Sequence, residues 1–160
     1  MTYEEAVAAI TPGLYRHFKG NYYRVLSIAR HSETTEAMVV YQALYGNAGI
    51  WVRPADMWNE TVKLDGEEIR RFRPLSRAER VSFYEMIFDE VRSMPREDAA
   101  IEKEIRMKVR LLDEYFTSGE WQEDYETDEE GLLRADLKRG VLSQDELYDF
   151  LMEWQAENGK

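Results

Sequence analysis

The fold of this chain is decided by residues 14–58, which read LYRHFKGNYYRVLSIARHSETTEAMVVYQALYGNAGIWVRPADMW. The stretch is rich in β-branched and aromatic residues, which favour strands. Short polar or glycine-containing segments interrupt it at residues 19–21, 32–36 and 46–49. Such segments reverse the backbone and supply the positive φ angles of tight turns. The stretch therefore predicts an antiparallel meander that curls into a small closed β-barrel without free edges.

The pattern continues to residue 75 and predicts five or six short strands in all. Asp65-Gly66 between two such runs is a type I′ hairpin signal. A short helix over residues 2–10 precedes the strands, and the spacing of Thr2 and Glu5 predicts a capping box at its start. The predicted strands are residues 14–18, 22–30, 38–45, 50–53, 61–64 and 68–73, with one helical turn at residues 55–58.

Residues 76–160 predict a helical domain of about three helices. Apolar residues recur at spacings of three and four in residues 76–93 and 97–116 and again from residue 143 onward. Ser76–Glu79 and Ser143–Glu146 both have capping-box spacing. Residues 120–131 are very acidic and predict an irregular solvated loop held by Trp121 and Tyr125. The spacing of the carboxylates in this loop does not fit a calcium-binding loop.

The net charge of -11 is distributed unevenly along the 160 residues. Residues 1–75 carry nine basic and nine acidic residues, so the whole net negative charge lies in residues 76–160. This change in composition predicts two domains, a β-barrel at residues 1–75 and an acidic helical domain at residues 76–160. Because acidic surfaces repel nucleic acid and anionic membranes, we expect neither as a partner.

Several classes of chemistry find no support in the residues. The chain has no cysteine, which excludes disulfides, thiolate zinc sites and cysteine nucleophiles. It also lacks phosphate-binding glycine loops and the familiar hydrolase motifs, and we predict no cofactor and no metal. Its first residues do not resemble a signal peptide, and no stretch has the ~20 apolar residues of a membrane span, so we expect a cytoplasmic location.

Aromatic and arginine side chains are concentrated in the first domain. Such a mixture can form a cation–π or stacking pocket, or a groove for an extended peptide. Alternation along a strand places Trp51 and Arg53 on one face, which would either bind a ligand or pack against helices. Simple filling of the core is the alternative for the rings. The candidate ligand-binding residues are Tyr15, His17, Arg30, His31, Glu33, Tyr41, Trp51 and Arg53.

The two histidines of the chain, His17 and His31, both lie in this segment. Together with Glu33 they could carry out acid–base chemistry on a small metabolite. The alternative is that each is a histidine at the end of a strand with its imidazole hydrogen-bonded to the backbone. A shared cavity would favour an enzyme, whereas separated histidines would favour a binding protein.

Two separated sets of motifs resemble known families. The first set is YRHFKG at 15–20, ARHSET at 29–34, VYQALYG at 40–46 and WVRP at 51–54, and the second includes SGEW at 118–121 and DLKRGVLS at 136–143. Through the first set, residues 13–75 resemble the bacterial domain-of-unknown-function family 1653, and this resemblance implies an SH3-like barrel with no settled activity. Through the second, residues 101–154 resemble family 4298 of the same series, although Ala135 replaces a proline of that family.

Two hypotheses for the function follow from these observations. The first is a bacterial cytoplasmic binding or adaptor protein that recognises a small molecule or a protein segment. The second is a small-metabolite enzyme that uses His17, His31 and Glu33. In a further arrangement the helical half covers the barrel, and a ligand lies between the halves. The sequence leaves the oligomeric state open.

Overall fold

A computed structural model describes residues 1–95 and 98–159 of the chain. The chain divides into two compact units, Met1–Leu75 and Ser76–Lys160, called unit 1 and unit 2 below. The described residues have an α+β architecture with a five-stranded antiparallel sheet and six α-helices. Among the described helices, none combines the length and the apolar character that crossing a membrane requires.

Unit 1 contains seven strands and two short helices in its described residues. The five-stranded sheet has the order β4-β3-β2-β1-β7, while β5 and β6 form a separate two-stranded sheet. In chain order the elements are α1 (Tyr3–Ala9), β1 (Gly13–His17), β2 (Tyr22–Arg30), β3 (Ala37–Ala43), β4 (Ile50–Pro54), α2 (Ala55–Trp58), β5 (Thr61–Leu64), β6 (Glu67–Arg70) and β7 (Phe72–Pro74).

The predicted closure of the barrel is wrong. β4 and β7 are the two edges of the five-stranded sheet and do not pair with each other. After β4 the chain leaves the sheet, because Pro54 has no N–H for a ladder and α2 follows it directly. The β5–β6 hairpin then forms a sheet of its own, and β7 returns to pair with β1. The type I′ signal is confirmed, since Asp65 and Gly66 both have positive φ, 51° and 81°.

The core of unit 1 joins four buried rings to six smaller apolar residues. Trp58 of α2 is 2% exposed and stacks on Phe72 of β7 with the ring centroids 3.7 Å apart. Its indole also meets Tyr15 edge-on at 5.4 Å and Tyr41 at 4.9 Å. Ala6 of α1 is fully buried in the same cluster. The short helices therefore cover one face of the sheet, and the apolar surface they bury stabilises unit 1.

Unit 2 is helical in its described residues, with one short 3-10 helix. The capping boxes of Thr2–Glu5 in α1 and Ser76–Glu79 in unit 2 are confirmed. The one predicted at Ser143–Glu146 is wrong, because the Ser143 side chain makes no capping hydrogen bond. The predicted helix start at residue 97 lies outside the described residues. The elements are α3 (Arg77–Ser93), α4 (Ala99–Thr117), α5 (Glu120–Glu129), a 3-10 helix (Gly140–Leu142) and α6 (Gln144–Asn158).

The acidic run that was predicted to be a loop is the helix α5. Gly119 has a φ of 93°, which lets the chain turn sharply after α4 and begin a new helix. Trp121 is buried, and its Nε1–H donates to the carbonyl of Val141 at 2.9 Å. Asp124 is fully buried and is held by Arg80. Burial of one ring and one paired carboxylate thus orders a segment that its charge alone would leave solvated.

Candidate functional site

The inner face of the five-stranded sheet is only partly covered by α1 and α2. The strand register places Trp51 opposite Tyr41 and Arg53 opposite Val39, so these four side chains share that face. Tyr41 and Val39 are buried, whereas Trp51 is 60% exposed. We call the part of this face around the exposed Trp51 the ring face; it comprises His17, Tyr23, Trp51 and Arg53 together with the buried rings of Tyr41 and Phe72.

Phe72 lies at the centre of the ring face. The imidazole of His17 meets its ring at 4.9 Å, and the phenol of Tyr23 meets it at 5.5 Å, both edge-on. The guanidinium of Arg53 lies 5.6 Å from the same ring centroid, within the range of a cation–π interaction. The centre of the face is therefore a buried aromatic cluster with a fixed positive charge beside it.

Two arginines at this site have buried nitrogen atoms without acceptors. The Nε atoms of Arg53 and Arg71 are buried and have no hydrogen-bond partner in the described part of the chain. Arg71 does donate through its Nη2 to the carboxylate of Glu60 at 3.3 Å. A buried donor without an acceptor costs about 1–3 kcal/mol, and more when it is charged. Both Nε–H groups therefore lack the acceptor that would offset this cost.

His17 stands beside these arginines in its neutral form. Its Nδ1 accepts a hydrogen bond from the backbone N–H of Lys19 at 3.2 Å, so the proton of the neutral ring is on Nε2. Burial lowers the pKa of His17 below its ordinary value of 6.5, and the positive charges of Arg71, Lys19 and Arg53 lower it further. The Nε2–H is thus a neutral donor next to three cations.

Tyr23 and Tyr45 add a pair of hydroxyl groups to the border of the ring face. Their oxygens lie 2.8 Å apart, and either one can donate. Burial and the hydrogen bond with Tyr45 raise the pKa of Tyr23 to about 12, so it stays protonated at neutral pH. The Tyr45 side chain is 43% exposed and is accessible to a ligand.

A cavity of about 500 Å³ lies in unit 2, but it is lined by charges that are largely paired. In unit 1 a cavity of about 370 Å³ opens beside His17. Its lining contains three guanidinium groups and no carboxylate. The residues that line it are Arg16, His17, Phe18, Ile69, Arg70 and Arg73. The surroundings of His17 therefore favour a negatively charged ligand.

Arg30, His31 and Glu33 lie at the end of β2 that is far from His17 and in the loop that follows it. Arg30 ends β2, where its guanidinium stacks on Tyr3 at 3.7 Å and pairs with Glu4. His31 accepts hydrogen bonds through Nδ1 from the backbone N–H groups of Glu33 and Thr34, so its imidazole organises its own turn. Tyr15 is 5% exposed, and its hydroxyl donates to the Thr11 carbonyl.

The predicted acid–base group is not assembled in the structure. His17 precedes the turn into β2, and His31 follows the end of β2, so the nine-residue strand separates them. A strand of this length spans about 26 Å. Both imidazoles accept backbone hydrogen bonds instead. In the described residues, no cluster of three or more histidine, aspartate or glutamate side chains could hold a metal ion.

The candidate residues chosen from the sequence did not include four residues of the site, namely Tyr23, Tyr45, Arg71 and Phe72. Tyr23 could have been found, because the β1–β2 hairpin places it opposite Tyr15. Phe72 reaches the site only through the pairing of β7 with β1, where it lies opposite His17. No local pattern in the sequence specifies a pairing between segments so far apart.

The family resemblances predicted from the sequence, and their order, are confirmed by comparison with known proteins. Residues 13–74 match the family described as Protein of unknown function (DUF1653), and residues 84–157 match the Domain of unknown function (DUF4298). A crystal structure of a DUF1653 protein from Bordetella bronchiseptica is 40% identical, with 44% of this chain and 92% of that chain covered and a TM-score of 0.41. No curated protein matches. The chain therefore belongs to the DUF1653 family through residues 13–74, and its residues 84–157 are similar to DUF4298.

Proposed function

We propose that unit 1 is a bacterial cytoplasmic binding module of SH3-like type that takes a small ligand with an oxyanion on a planar apolar body. The observation that carries the proposal is the pair of buried Nε–H groups of Arg53 and Arg71 without acceptors. A carboxylate or phosphate oxygen is the acceptor that suits a guanidinium best.

The rest of the ring face supports the same ligand. The exposed Trp51 indole offers surface for a planar group. The Nε2–H of His17 and the Tyr23–Tyr45 hydroxyl pair add neutral donors. A large polyanion is a poor candidate, because the chain carries a net charge of -11. No observation favours the enzyme, since the two histidines are separated along β2.

The proposal is tested by titrating the whole chain with benzoate and with benzamide, which share a ring and differ in charge. NMR signals of the arginine Nε–H groups report binding directly. We expect benzoate to shift the signals of Arg53 and Arg71 in a saturable way, and benzamide to leave them in place. Inorganic phosphate serves as a second probe that separates a phosphate site from a carboxylate site.

Arg53→Gln should weaken benzoate binding at least about tenfold, because one charge-assisted hydrogen bond contributes roughly 1.5–3 kcal/mol. Arg110→Gln is the matched control, since this exposed arginine lies on α4 of unit 2. Equal shifts with benzamide, or unchanged benzoate affinity in Arg53→Gln, would refute the proposed function.

A further inference from the structure

The edge strand β4 presents open backbone groups that the described chain does not pair. It is the terminal strand of the five-stranded sheet. The N–H of Ala43 donates to the carbonyl of Gly49 at 3.0 Å, and hydrogen-bonded pairs alternate along an antiparallel ladder. The backbone groups of Trp51 and Arg53 therefore point to β3, while those of Ile50 and Val52 point to the open side.

The side chains of this edge are apolar and exposed on both faces of the strand. Ile50 is 62% exposed, Trp51 60% and Val52 61%. Natural sheets protect such edges with charges, prolines or bulges, because an uncovered edge is a template for another strand. β4 has no charge before Arg53 and no proline before Pro54. Its first three residues are therefore unprotected.

We infer that the open edge of β4 pairs with the β4 edge of a second copy of this chain, forming an antiparallel two-fold dimer. A pairing centred on Trp51 places Ile50 of each copy opposite Val52 of the other. Both residues then use their outward N–H and C=O groups, giving about four intermolecular backbone hydrogen bonds.

Other two-fold registers use the edge less well. Centring on Val52 would place Pro54 opposite Ile50, and proline has no N–H to donate. Centring on Ile50 would place Val52 opposite Ala48, which lies in the turn before β4. In the Trp51-centred register Arg53 faces Gly49, so no like charges are opposed.

The charge distribution also permits this contact. The net charge of -11 would oppose association through an acidic surface. β4 belongs instead to residues 1–75, in which nine basic and nine acidic residues balance. The pairing is isologous, since each copy offers the same five-residue strand.

Sedimentation equilibrium of the full chain tests the inference. We expect a mass twice that of the 18.9-kDa chain at high concentration, with dissociation on dilution. Val52→Lys should raise the dimer dissociation constant about a hundredfold. Each lysine weakens the pairing at least about tenfold, and a symmetric dimer contains the substitution twice. Val7→Lys makes the same substitution at a 47% exposed position of α1 and should leave the dimer intact.

Hydrogen exchange by NMR locates the contact. The amide protons of Ile50 and Val52 should exchange more slowly at high than at low protein concentration. The inference is overturned by a monomer at every concentration, or by a dimer that survives Val52→Lys. It is also overturned if a peptide selected from a random library protects the amide protons of Ile50 and Val52 and a second copy of the chain does not. Because Val52 is 61% exposed, the lysine variant should fold, and circular dichroism checks this.

Discussion

Replacing Asp124 by asparagine should destabilise unit 2 by about 3–4 kcal/mol. The side chain is fully buried, and its Oδ2 accepts hydrogen bonds from Arg80 Nε at 2.9 Å and from the Tyr115 hydroxyl at 2.6 Å. Its Oδ1 accepts from a second guanidinium nitrogen of Arg80. Asparagine keeps the volume of the side chain, so the loss measures charge and hydrogen bonding rather than a cavity.

The magnitude follows from the partners that remain. Breaking a buried charge pair costs about 3–5 kcal/mol, because the other charge stays behind without compensation. Arg80 keeps Glu120 at 2.9 Å, and its side chain is 20% exposed, so the upper end of that range does not apply. The loss is still a large part of the roughly 5–15 kcal/mol that stabilises a folded domain.

Urea denaturation followed by far-ultraviolet circular dichroism measures this loss, since unit 2 supplies most of the helix. The matched control is Glu123→Gln, one residue away on α5, where the carboxylate is 65% exposed and lies 3.9 Å from Arg77. Its effect should be below about 1 kcal/mol. A loss below about 1 kcal/mol for Asp124→Asn, with an unchanged denaturant dependence, would refute the reasoning.

Three further changes have defined outcomes. Gly140→Ala places a Cβ 3.0 Å from Oε1 of Glu85, and Oε2 of the same carboxylate accepts a hydrogen bond from the Val141 N–H. Displacing this carboxylate should lower the unfolding free energy by about 1–3 kcal/mol in urea denaturation. Unchanged stability would contradict this. Trp58→Ala should lower the unfolding free energy by about 3–5 kcal/mol in thermal unfolding, because removal of the 2% exposed indole leaves a cavity. A loss no larger than that caused by replacing an exposed ring with alanine would count against the core assignment. The pKa of His17 is lowered by burial and by nearby cations, so the folded state binds a proton less readily than the unfolded state. The stability that His17 contributes is complete above pH 6.5 and decreases as the pH falls toward the pKa of the folded state. The difference in unfolding free energy between wild type and His17→Gln should therefore become smaller as the pH is lowered from 6.5. A difference that does not change with pH would contradict the shift.

Benzoate binding at the ring face links this titration to the proposed function. An anion beside Arg53 and Arg71 offsets the positive potential that lowers the pKa of His17. An NMR titration of the His17 ring should therefore give a higher pKa with benzoate than without it. An unchanged pKa under saturating benzoate would place the anion away from these arginines.

Local features of unit 1 were predictable because they depend on neighbouring residues alone. The capping box of Thr2 and Glu5 needs one helical turn, and the Asp65-Gly66 reversal needs two residues with positive φ. Trp51 and Arg53 share a face through the two-residue period of a strand. Core membership was less predictable. The rings of Tyr15 and Trp51 look equivalent in sequence, yet one is 5% and the other 60% exposed.

The sequence by itself determined the strand and helix content of the two halves, the change in charge at residue 76, both family resemblances and the shared face of Trp51 and Arg53. Only the tertiary structure decided that the sheet stays open, that β7 brings Phe72 opposite His17, and that α5 orders around the buried Asp124. Turns, caps and alternation arise from contacts within a few residues. Distant pairings are instead selected by the packing and charge compensation of the complete fold, which no local pattern encodes.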